Sequence, residues 1–311
     1  MKKIIQILCL LTLLSPLALV GVEVAHAQDV ETLTLGVMPS VDNIPLLVAK
    51  KQGFDKKHGV NLSLEVFRNA NDRDTAFQAK QVDGMNSDLI AFATYLEGGM
   101  DIQITGSTFG EFDLVVNDDD VKTLADLKDK KVAVLTESGT QYSAEQMLKE
   151  QNVQGEEVHF EHIPPVPSRI ELLRSHELSG AILPEPFVTM AKEEGMRVLS
   201  TTREIGINPF IMVFERETIE TKQEAIRGMY EAYNEAVDYL KTANPEEYMD
   251  LFVEEIGFPE TLKDKIHVPD YTKAEQTSLK DIEQAFQWAR DHDILTKDIK
   301  PEDVLSHVYF K

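Results

Sequence analysis

Three short polar stretches carry the residue types that could do chemistry. They are Ser40, Asp42 and Asn43; Asn86, Ser87 and Asp88; and Ser138, Gly139, Thr140 and Tyr142. Each comes after an apolar, strand-like run and before a helical one, so each reads as a strand-to-helix turn. The first backbone N–H groups of a helix have no partner within it, and with neighbouring hydroxyls they hold polar or anionic groups without a formal positive charge. Ser107 belongs to a further turn, Gly106-Ser107-Thr108, and Glu185 is fixed between Pro184 and Pro186 at a strand end. Such residues offer hydrogen-bonded capture of a small molecule. Ser87, Asp88 and Ser138 read equally well as caps of their own helices.

If Asp42, Asp88 and Glu185 line one cleft, its ligand must bring hydrogen-bond donors, because a bare inorganic anion meets like charge there. That favours an amine- or amide-bearing organic molecule. Arg68, Arg73 and Arg169 are the candidate cations, and Arg169 next to a proline-rich loop reads first as a surface ion pair. Tyr142 and Phe109 could stack on a flat ligand or fill the core. Catalysis finds little support: the chain has no G-x-S-x-G elbow and no Walker loop. His159 and His162, three apart on an expected strand, point to opposite faces and make a poor metal pair. No catalytic residue, metal or cofactor is expected.

Two strand–helix–strand units must position these residues. Residues 33–66 run from an alternating apolar strand through a polar turn and a helix to a second β-branched strand. A parallel pair of this kind leaves a crevice beyond the strands' carboxyl ends. Between the units the pattern predicts a helix over 72–80 capped by Asn71, a strand over 82–85 and a helix over 89–97. A second unit begins near residue 124, with Ser138 and Gln141 in the form of a capping box. Apolar runs at 112–116 and 210–214 read as crossings between the halves, and polar helices are expected over 220–242, 245–256, 273–290 and 301–308. The expected class is α/β: two lobes, one of residues 28–110 with 210–311 and the other of 111–209, moving as hinged bodies.

The first residues read as a cleaved export signal: Lys2 and Lys3, an apolar stretch over 4–14, and Ala25-His26-Ala27 ahead of the cut. The expected signal is residues 1–27. It contains the only cysteine, Cys9, so the mature chain would have no disulfide and no lipid-anchor thiol. The net charge of −23 repels nucleic acid and anionic lipid. A periplasmic or secreted monomer is expected, and no nucleic-acid partner.

The segments MPSVDNIPLLVAKKQGFDKKHGV, NANDRDTAFQAKQVDGMNSDL, TESGTQYSAEQML and LRSHELSGAILPEPFVTMA span most of residues 33–215. In that order they resemble the solute-binding proteins of ABC importers in the nitrate, sulfonate and taurine group, a class that also includes binders of thiamine-pyrimidine precursors. The resemblance implies the two-lobed type II periplasmic-binding fold, a small ligand held between the lobes, and delivery to a membrane permease driven by a separate ATPase subunit. It places Glu185 near the ligand. Two other roles use the same scaffold, a pyrimidine-precursor enzyme and a sensor for a membrane kinase. The enzyme relative relies on a cysteine-rich segment that this chain lacks.

Overall fold

The computed structural model describes residues 30–310. The expected signal, residues 1–27, lies outside them. Among the described residues ten strands form two sheets: β1 (Glu31–Val37), β2 (Val60–Val66), β3 (Gly84–Asp88), β4 (Ile102–Ser107), β5 (Asp113–Val116), β6 (Lys131–Val134), β7 (His159–His162), β8 (Gly180–Leu183), β9 (Arg197–Thr201) and β10 (Phe210–Glu215). The strand orders are β2-β1-β3-β10-β4 and β7-β6-β8-β5-β9.

The two orders are one plan used twice. In each sheet the first strand–helix–strand unit pairs in parallel, β1 with β2 and β6 with β7, and a third strand joins the first. The antiparallel member comes just after a crossing: β5 enters the second sheet from the first, and β10 returns. The two crossings are zipped together, Thr108 N to Phe210 O at 3.2 Å and Thr202 N to Phe112 O at 3.0 Å.

Period-two alternation builds the cores. In β5, Leu114 and Val116 face one apolar cluster while Val115 faces another; in β6, Val132 and Val134 oppose Ala133 in the same way. Both faces of each sheet are therefore packed, which suits strands covered by helices on both sides. The helix Gln223–Leu240 buries Ile226, Met229, Tyr230, Tyr233, Val237 and Leu240 at helical spacing against the first sheet.

The structure corrects several local readings. The helix expected over 72–80 is Ala70–Gln78, capped by Asn69 rather than Asn71: the Asn69 side chain accepts from Asp72 N. The strand expected over 82–85 is β3, which continues to Asp88 because Phe210–Phe214 of β10 pairs along it. Ser138 caps the helix Gly139–Lys149, but no capping box forms, since Gln141 Oε1 accepts from Glu137 N instead. The helix expected over 273–290 is Leu279–Asp291, and 301–308 supplies only the single turn Pro301–Val304. The remaining residues of those stretches cover the open edge of β4: Ser107 N donates to Glu275 O and Ser306 N to Ile104 O. Edge pairing satisfies backbone groups that helix formation would have left exposed on β4.

Candidate functional site

The carboxyl ends of the parallel strands in both sheets converge on one cavity of about 420 Å³. The turn after β1 supplies Met38, Pro39, Ser40 and Asp42; the end of β3 supplies Asn86, Ser87 and Asp88; the first crossing supplies Thr108 and Phe112. From the second sheet come Ser138 and Thr140 after β6, Pro164 and Arg169 after β7, and Pro184, Pro186 and Phe187 after β8. Phe210 opens β10 on the return crossing, and Phe112 and Phe210 pack at 4.6 Å between ring centres. The size suits a small ligand, and the wall mixes aromatic surface with a few fixed polar groups.

Of the twelve residues singled out in the polar turns and at Glu185, seven reach this wall, as do Arg68, Arg73 and Arg169, but they are not equally free. Ser138 Oγ donates to Leu135 O and Thr140 Oγ1 accepts from Leu135 N, so both hydroxyls are spent on their own turn. Asp88 accepts from Ile90 N and Ala91 N at 2.9 Å and is chiefly a helix cap. Asn86 braces the first turn by accepting from Met38 N. Asp42, at 5 % exposure, keeps more capacity: its Oδ1 has no hydrogen-bond partner, and Ser87 Oγ and Thr108 Oγ1 have none either. Ser40 and Thr108 face the Asp42 carboxylate without closing a well-formed bond. Burial pushes the Asp42 pKa up, against the opposing pull of Ser40, Thr108 and Asn86. Burial also raises Asp88, offset in part by its backbone bonds and by Arg73.

Five singled-out residues sit elsewhere. Asn43 is beneath the turn, with its amide on Met38 O at 2.6 Å. Ser107 is buried at the end of β4 and donates to Thr277. Gly139 is pressed against Asp88 of the other lobe, where a Cβ would come within 2.6 Å of the carboxyl carbon. Tyr142 points away from the cavity into the first lobe's core, edge-on to Trp288. A helical register explains this: two residues beyond Thr140 the chain has turned by about 200°. Glu185 lines a second cavity and accepts from Thr189 N and Oγ1.

Arg169 overturns its surface reading. It is 2 % exposed, donating from Nε to Ile163 O at 2.7 Å and from Nη1 to Ile182 O at 2.9 Å. Among the described residues it has no carboxylate within ion-pair distance, and burial alone lowers it to about 10. Arg73, also buried on the cavity, is held by Asp74 instead. The sequence reading missed Thr108, Phe112, Phe187 and Phe210. Phe112 and Phe210 lie where the chain changes sheet, and that position was their only signal.

The second cavity, of about 730 Å³, lies along the crossings and contains Glu111, Asp113, Glu185, Lys192, Arg203, Glu204, Lys265 and His267. Two ion pairs lie along it, Arg203 with Glu111 and Lys265 with Glu193. Asp113 is pushed up to about 7 first by burial and then by Glu111, Glu185 and Glu204, with Lys192 opposing. A carboxyl raised in the folded state binds a proton that the unfolded chain has released. Stability therefore falls as pH rises from about 4 to about 7 and is flat above that. The Asp113 contribution is about 2–4 kcal/mol. Asp113→Asn should raise the melting temperature at pH 8 and flatten its decline between pH 5 and pH 8. An unchanged pH slope would show that Asp113 does not carry the effect. Among the described residues no cluster of three or more His, Cys, Asp or Glu could hold a metal ion.

Two sheets of one strand order, joined by paired crossings around a shared cavity, define the two-lobed periplasmic binding-protein fold. The chain belongs to the NMT1-like family, whose family model matches residues 26–252. A Brachyspira hyodysenteriae protein described as an ABC transporter periplasmic binding protein is 22% identical over 262 residues, 78% of this chain and 75% of its own. The periplasmic aliphatic sulphonate binding protein SsuA from Escherichia coli superposes with a TM-score of 0.74 at 18% identity, over 89% of this chain and 92% of SsuA. The periplasmic nitrate-binding protein NrtA from Synechocystis PCC 6803 gives 0.70 at 15% identity, over 89% and 85%. The desulfurization enzyme DSZB shares the fold as well, with a TM-score of 0.66 at 12% identity, over 89% of this chain and 96% of DSZB. The scaffold alone therefore does not separate binder from enzyme.

Proposed function

We propose that this protein is the extracytoplasmic solute-binding component of an ABC importer. It takes a small polar organic ligand into the cavity between its lobes and passes it to a membrane permease powered by a separate ATPase subunit. One observation carries the reading: a cavity at the carboxyl ends of both sheets, walled by aromatic side chains and by polar residues from turns of both lobes. Family membership and the periplasmic binding proteins among its relatives support it. The expected signal at residues 1–27 accounts for export, and no helix among the described residues is long and apolar enough to cross a membrane.

The ligand-contacting residues on this reading are Ser40, Asp42, Asn86, Ser87, Asp88, Thr108 and Arg169, with Phe112, Phe187 and Phe210 as apolar walls. Asn43 and Gly139 shape the loops that carry them. The enzyme reading draws only on the shared fold, and the cavity wall contains no histidine or cysteine. Nothing in the wall favours a sensory role over transport.

A ligand that binds only the folded, closed protein stabilises it by mass action, by about 2.7 kcal/mol at a hundred times its Kd. Screening alkanesulfonates, nitrate, amino-sulfonates, amino acids and aminopyrimidines by thermal melting should therefore raise the midpoint by several degrees for one chemical group. Chemical turnover of the stabilising compound, read by mass spectrometry, would replace transport with catalysis.

A further inference from the structure

Residues 254–269 of the first lobe form a strap that borders both cavities. On the solute-binding reading, we propose that this strap is the gate of the cleft. The Lys265–Glu193 ion pair latches it to the second lobe, and the opposite flank is a fixed spine about which the lobes swing.

The strap is tied to the first lobe at both ends. Phe252, Ile256 and Phe258 are buried in that lobe's core, and Ile266 and Val268 pack against it. The residues Glu254 to Gly257 line the first cavity, while Lys265, His267 and Pro269 line the second. Ser40, in the turn after β1, is on the wall of both. One segment of the first lobe therefore faces the whole cleft.

The two flanks of that cleft are held differently. Away from the crossings, the described residues include two side-chain polar contacts between the lobes. One is buried: Glu145 of the second lobe, at 7 % exposure, accepts from Trp288 Nε1 at 2.8 Å and faces His292 Nε2 at 3.4 Å. On the same helix Tyr142 stands in the first lobe's core, and Gly139 presses on Asp88. The other contact is Lys265 with Glu193, whose side chains are 54% and 34% exposed. The two contacts belong to opposite faces of the second sheet. The helix Gly139–Lys149 packs with Val132 and Val134, and the helix Phe187–Glu193 packs with Ala133 on the other side.

Their strengths decide which flank moves. Parting the spine would bare the Tyr142 and Trp288 rings and take the indole donor from Glu145. Parting the gate breaks one exposed ion pair, which shifts an equilibrium by about fivefold at most. The lobes therefore open at the gate, and a ligand enters and leaves beside the strap. A weak latch suits a carrier, because closure is then governed by the ligand's own preference for the closed form. If the crossings were the sole pivot, both flanks would part alike.

Spin-label distances in the unliganded protein test this. The only cysteine, Cys9, lies in the expected signal, so introduced cysteines alone take the labels. Thr261→Cys with Glu177→Cys spans the gate, and Lys149→Cys with Gln287→Cys spans the spine; all four positions are exposed. Lys265→Glu sets like charge against Glu193. It should raise the population of long gate distances by about twofold or more, while spine distances hold within about 2 Å. Adding Glu193→Lys should restore the original distribution. Salt at about 1 M should shift the wild type in the same direction as Lys265→Glu. Equal lengthening across both flanks, an unchanged gate in Lys265→Glu, or no recovery in the double reversal would overturn the gate. These distances need no ligand, so their failure would leave solute binding to the melting screen.

Discussion

Arg169→Ala is expected to lower the stability of the folded chain by about 3–5 kcal/mol, because it strips two buried carbonyls of a charged donor. Those carbonyls belong to Ile163, just past β7, and Ile182 in β8. These strands flank β6 on either side, so the guanidinium clamps three strand ends where the second lobe meets the cavity. Removing a buried charge recovers part of its desolvation cost. Leaving two carbonyls unsatisfied in an apolar setting costs more, since alanine offers no donor and the proline-walled pocket holds little else to replace it. In a chain of this size the loss corresponds to a fall in melting temperature of about 10 °C. Urea unfolding monitored by circular dichroism is the direct measurement. A loss below about 1 kcal/mol would mean that the clamp does not hold the strands.

Gly139→Val should cost about 2–4 kcal/mol and loosen the contact between the lobes. The helix Gly139–Lys149 belongs to the second sheet, yet its first turn touches the first lobe. An added Cβ would lie 2.6 Å from Asp88 Cγ and 2.8 Å from Asp88 Cβ. Asp88 cannot swing aside without giving up its bonds to Ile90 N and Ala91 N, which cap the next helix. The same helix is anchored farther along by Tyr142 edge-on to Trp288 and by Trp288 Nε1 donating to Glu145 at 2.8 Å. A wedge at residue 139 therefore acts on a contact already fixed at its other end. The variant should melt lower and show a larger radius of gyration in small-angle scattering. Unchanged dimensions and melting would show that the two lobes do not depend on this close approach.

Both effects arise from contacts that no local pattern in the chain announces. Gly139 and Tyr142 have the spacing of cleft residues, and Gly139 does stand at the mouth of the right turn. What sends Tyr142 into the core is the helical register combined with a partner, Trp288, far along the sequence. Arg169 shows the reverse. Its neighbours in sequence suggest a surface ion pair, while the fold surrounds it with backbone carbonyls and a cavity. Glu185, expected near the ligand, stands after β8 between two prolines but lines the second cavity. Which of two cavities it faces depends on the packing of the helix Phe187–Glu193.

The sequence by itself determined the two strand–helix–strand units, the α/β class and the set of polar turns at strand ends. Those follow from periodicity and from the needs of helix termini, which act over a few residues. Only the tertiary structure decided which turns keep unsatisfied groups. Ser138 and Thr140 spend their hydroxyls within one turn, whereas Asp42 Oδ1, Ser87 Oγ and Thr108 Oγ1, on three separate segments, are buried without a hydrogen-bond partner. Where a buried charge finds its match is settled across the molecule, and local sequence has no means of recording it.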